Sequence, residues 1–158
     1  MRRLLTAAAV YAGLGLASGL FYREYTKATG FTGETQLAVV HTHLLALGML
    51  VMLVVLALHA ALDIDGSRSF SWFFTTWNAG LLLTAGAMTV HGILQVDGAT
   101  EVSAAIPGIA GLGHVLLTVA AVCLFVALRG PVTRHDLRRR SGDAIASHTA
   151  ISGTELEA

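Results

Sequence analysis

Five of the seven histidines, His41, His43, His59, His91 and His114, lie in long stretches that contain no Asp, Glu, Lys or Arg. Ionisable side chains at membrane depth are costly and point to function by default. Histidine is the mildest case because its ring can stay neutral, and a single one often serves only as an interhelical hydrogen-bond donor. Five with no carboxylate or lysine among them make a set of imidazoles suited to iron or copper. His135 and His148 fall in a polar C-terminal stretch and read as solvated.

The spacing in His41-Thr42-His43 narrows the chemistry. Two residues along a helix means about 200° of rotation. The two rings therefore point to nearly opposite sides and serve two sites rather than one. A helical zinc site uses an i, i+4 pair on one face and four convergent ligands. The single cysteine, Cys123, offers no thiolate cluster. A planar ligand with axial positions on opposite faces suits the pair better, and heme iron takes imidazole there. His41 and His43 lie roughly 6–9 Å below one end of their helix, His91 about 7 Å, and His114 about 15–18 Å. His91 and His114 read as further iron or copper ligands or as hydrogen-bonding support, with His91 preferred because its depth matches the pair. His59 lies toward the other end and reads as interfacial. Gly48, Gly80, Gly86, Gly108, Gly111 and Gly113 give a macrocycle room, or simply let helices approach. Arg23 and Lys27 would neutralise heme propionates or meet lipid headgroups. Met49, Met52 and Met88 suit copper but also serve as core filler.

These residues need helices to hold them. Of 158 residues, 54% are hydrophobic and 13% charged, against about 25% charged in a soluble domain. Equal numbers of acidic and basic residues (ten each) give no basic footprint for nucleic acid. A membrane helix needs roughly 20 apolar residues, and four stretches qualify: 4–22, 37–62, 70–96 and 102–128. The fold class is an all-α integral membrane four-helix bundle, with domain 1–128 in the membrane and 129–158 as a polar, disordered tail. Orientation follows the basic residues. With both termini cytoplasmic, Arg2, Arg3, Arg68, Arg129, Arg134, Arg138, Arg139 and Arg140 are inside, and only Arg23 and Lys27 outside. Trp72 and Trp77 then sit near the inner interface. The chain is expected in the plasma membrane, multi-pass, with the lipid bilayer as its first partner. A cleaved signal peptide is the lesser reading of the first span, since Gly15 and Gly19 form a G-x-x-x-G packing motif.

The string Val39-Val40-His41-Thr42-His43-Leu44-Leu45-Ala46-Leu47-Gly48-Met49 resembles the His-x-His signature of heme–copper oxidase catalytic subunits, the cbb-type branch included. The whole chain up to the tail resembles a family of small bacterial four-helix membrane proteins of unknown function. The oxidase resemblance implies a four-helix arc, one third of a pseudo-threefold ring that a homotrimer would rebuild. It also implies that His41 of one protomer and His43 of its neighbour clamp a heme at each interface. The rival is a pair within one protomer. The third helix here carries His91 alone, in Val90-His91-Gly92, where the oxidases carry adjacent histidines. No covalently linked tyrosine has a counterpart and no acidic channel crosses the spans, so oxygen reduction with proton pumping is not expected.

The resulting expectation is a membrane-bound b-type heme protein that transfers electrons or binds a diatomic gas. A copper- or metal-handling protein and a cofactor-free accessory subunit stand as alternatives. Whether the chain is an enzyme, and what its redox partner is, stay open at this level.

Overall fold

The computed structural model describes residues 1–62, 64, 67–99 and 101–155, with side chains described as far as Ser141. Among the described residues every regular element is helical. Four helices are long and apolar enough to cross a membrane. The first is Arg2–Thr29, the second Leu37–Leu62, the third Arg68–Val96 and the fourth Ala105–Glu155.

The ends of these helices follow from local chemistry. The first runs seven residues past the apolar stretch, so Arg23 and Lys27 lie on its last turns rather than in a link. It stops at Gly30, whose φ of +66° is a conformation glycine adopts without a side-chain clash. The Phe31 N–H then returns to Thr26 O at 2.9 Å and the Gly30 N–H to Lys27 O at 3.3 Å, a Schellman closure. The third helix begins two residues before its apolar run because Ser67 Oγ accepts the Phe70 N–H at 3.2 Å. The fourth carries Pro107 in its first turn, where a missing N–H costs nothing. It continues through Pro131 to Glu155. Residues 129–155, expected as a disordered tail, thus extend the fourth helix; residues 156–158 lie outside the described set. Arg, Leu and Ala in this stretch are good helix formers, and an Asp136–Arg140 pair at 3.0 Å spans one turn.

The helices pack mainly in chain order, first on second, second on third and third on fourth; the third–fourth contact is the most extensive, and the inner half of the second helix also touches the fourth. Among the described residues the first and fourth do not close on each other. The result is an open row rather than a ring. The core joins Leu4, Ala8 and Tyr11 of the first helix to Val40, Leu44, Met52 and Val55 of the second, and Phe73, Leu81 and Met88 of the third to Leu117 and Ala120 of the fourth. The third helix has a neighbour on either side, and 44% of its most apolar stretch is buried, against 22%, 22% and 17% for the first, second and fourth. It is also the helix that carries Asn78 and Thr84, polar groups that belong inside a bundle rather than against lipid.

The second helix is not uniform. Leu44–Leu50 forms a π-helix between two α-helical stretches. Its buried positions explain why. Val40, Leu44, Gly48 and Met52 are all buried and four residues apart. In an α-helix each such step overshoots the turn by about 40°. The wider π turn takes up that drift and keeps all four on the packed face.

Candidate functional site

The arginine-bearing ends of the helices lie together. Arg2 and Arg3 share a groove with Phe70 and Ser71, and Arg134 shares one with Ser67 and Ser69. His41, His43 and His91 lie toward the opposite end, near the start of the second helix and the close of the third.

His41 and His43 flank the buried Val40–Leu44 line of the second helix, one on each side, and both are half-buried. His41 faces the first helix. A Cβ built on Gly19 would lie 3.6 Å from its Cβ and Cγ. One turn on, Leu45 fills the space above Gly15, where a Cβ would come within 2.6 Å of it. The G-x-x-x-G of the first helix is therefore the seat of His41 and Leu45. The Nδ1 of His41 is buried without a hydrogen-bond partner.

His43 is different. Its Nδ1 lies 2.9 Å from Val39 O of the preceding turn. A carbonyl only accepts, so Nδ1 carries the proton, and in the neutral ring Nε2 is then the nitrogen with the lone pair. Metal-ligating histidines are commonly held in this way. His114 repeats the arrangement, with Nδ1 2.8 Å from Ala110 O, on an exposed face of the fourth helix. Depth alone ranks His91 above His114; side-chain hydrogen bonding ranks them the other way. His91 is half-buried beside Gly92, which is pressed against Leu37 N and receives the Thr35 Oγ1 hydrogen bond on its carbonyl at 2.9 Å. His59 meets the edge of Phe70, ring centres 5.8 Å apart, and its Nδ1 is buried without a partner.

Among the described residues no three His, Cys, Asp or Glu side chains converge as metal ligands. Arg23 is exposed and lies 3.7 Å from Glu24.

The glycines divide in two. Gly48 is covered by the Tyr11 ring, and Gly80 and Gly113 press against each other's backbone, each with a Cβ that would lie 2.7 Å from the other's carbonyl oxygen. These three give helices close approach and leave no room for a macrocycle. Gly86, Gly108 and Gly111 have nothing within 4 Å of a built Cβ. Gly86 lies in an open apolar groove of about 310 Å³ with Val90, Ile106 and Ile109.

A polar group that the sequence does not announce lies at the π segment. Tyr11 Oη donates to Asn78 Oδ1 at 2.8 Å, and Asn78 Nδ2 donates to Phe74 O at 2.6 Å. Trp77, expected as an interfacial anchor, instead turns into the bundle and donates Nε1–H to Leu47 O at 2.8 Å. The run of fours at Val40, Leu44, Gly48 and Met52 marks this segment in the burial pattern, not in the uniformly apolar sequence.

A family model described as a protein of unknown function, DUF2871, matches residues 1–130. This chain belongs to the DUF2871 family. No curated protein matches it, and no solved structure does. The DUF2871 match ends where the fourth helix passes from apolar to arginine-bearing sequence, and it carries no link to heme–copper oxidases.

Proposed function

We propose that this protein is a membrane-bound b-type heme protein, with axial histidines in the outer half of the bilayer, that transfers electrons or binds a diatomic gas. The observation that carries the reading is His43, whose Nδ1–H is fixed on Val39 O with Nε2 free. His41 stands on the other side of the same helix, half-buried against Gly19, with its Nδ1 buried and unpartnered.

The two rings diverge, so one iron between them needs two chains. His41 of one protomer and His43 of its neighbour would hold it, and Arg23 would meet a propionate. When bound, the heme would supply one-electron chemistry, or gas binding if an axial position is open. The open row of helices leaves both outer faces for such neighbours, and the homotrimeric arc follows from the oxidase-like His-x-His string. Both termini would be cytoplasmic, because eight of the ten basic residues cluster at one end, and the plasma membrane is the proposed location. Purification in mild detergent, with oxidised and dithionite-reduced spectra, tests the heme. His41→Ala and His43→Ala should each remove the bis-histidine bands.

A further inference from the structure

The Val51 N–H at the end of the π segment turns to Ala46 O, five residues back, and to Gly48 O, three back. It passes over Leu47 O, its partner in an α-helix. Leu47 O is the atom that receives the Trp77 indole N–H at 2.8 Å. Inside a bilayer a carbonyl passed over in this way has no water to turn to, and a side-chain donor can serve it instead. The next residue of the third helix, Asn78, holds Tyr11 Oη at 2.8 Å, and the Tyr11 ring covers Gly48. Two adjacent side chains of the third helix therefore grip the first and second helices at one level.

We propose that Trp77 is a positioning residue for the histidine pair: its indole holds the second helix in the π register, and that register sets where His41 and His43 point. A π turn accommodates one residue more than an α turn. Closing the segment to α-helix turns one half of the second helix against the other by about 100°. The packed inner half, with Met52 and Val55 fully buried, stays in place. The outer half then rotates, taking His41 off Gly19 and moving both rings to new faces. The proposal rests on the heme reading only for its spectroscopic arm.

The sequence supplies an independent handle. Deleting Met49 changes the buried spacing from four, four, four to four, four, three, which an α-helix satisfies without help from Trp77. Met49 is only partly buried. The test is amide hydrogen exchange on the full chain in detergent, on wild type, Trp77→Phe, the Met49 deletion and the combination. Trp77→Phe should speed exchange over residues 44–52 roughly tenfold, with little change in the fourth helix. In the Met49 deletion the same substitution should change exchange there by less than about twofold. If Trp77→Phe fails to insert, recovery of folded yield in the combination supports the same conclusion, and equal loss in both backgrounds overturns it. Unchanged exchange over 44–52 in Trp77→Phe also overturns it. In heme-loaded protein Trp77→Phe should keep the heme but shift its low-spin electron paramagnetic resonance g values, whereas His41→Ala and His43→Ala lose that signal. Wild type without heme would sink the functional reading and leave the exchange result standing.

Discussion

Gly113 admits no side chain. A Cβ there would meet Thr84 Oγ1 and lie 2.7 Å from Gly80 O and 2.9 Å from Thr84 N. Two of these are backbone atoms on the third helix and cannot step aside. Gly113→Ala should destabilise the chain by about 1–3 kcal/mol, the usual cost of overpacking, read as lower thermal stability in detergent. Gly111 faces open space, so Gly111→Ala should stay within about 0.5 kcal/mol. The same contrast holds for the polar pair. Tyr11→Phe leaves Asn78 Oδ1 without its donor and should cost about 1–2 kcal/mol. Tyr25→Phe should cost less, because its 2.5 Å bond to Asp97 is exposed and water can replace it. Equal losses for Tyr11→Phe and Tyr25→Phe would contradict the assignment of Tyr11 as a buried anchor.

At the scale of the element, the number and order of the helices were legible because uninterrupted apolar runs report membrane spans directly. The second helix was read at 37–62 and is Leu37–Leu62. Boundaries moved where apolarity and helicity part company. The first helix continues through Arg23 to Thr29, and the fourth through Arg129 and Pro131, since charged straight-chain residues are good helix formers. The role of Gly15 and Gly19 was legible from their spacing of four. Gly15→Val should weaken the pairing of the first and second helices, because its branches would strike Leu45; the check is thermal stability, and a variant as stable as wild type would contradict it. The π segment was not legible, because almost every residue of the second helix is apolar and its run of fours appears only in which residues are buried. Trp77 was not legible either. Its aromatic type and place near the span end suggested an anchor, whereas it packs on Phe73 and the core and finds its acceptor at Leu47 O. The divergence of His41 and His43 follows from helical spacing, whereas the tautomer of His43 depends on a hydrogen bond that composition does not reveal.

For the whole molecule, the arrangement is a row with two unclosed faces. Charge asymmetry predicts which end is cytoplasmic. In a Cys123→Ser background, Ser103→Cys should react with an impermeant thiol reagent on intact cells and Ser141→Cys only after lysis; both positions are exposed. The reverse pattern would invert the topology. The open faces also carry the expectation of an oligomer. Gly108→Leu and Gly111→Leu leave the chain's own packing intact, so a loss of assembly size on a sizing column would place the neighbour on the fourth helix.

The central claim is that two imidazoles of the second helix hold a heme. The most direct measurement is the reduced-minus-oxidised absorbance spectrum of the purified protein, with a pyridine hemochrome assay, in wild type, His41→Ala and His43→Ala. Sharp reduced α and β bands at about one heme b per chain in wild type, absent from both variants, is the predicted result. Wild-type protein made with ample heme and showing no Soret band would contradict it.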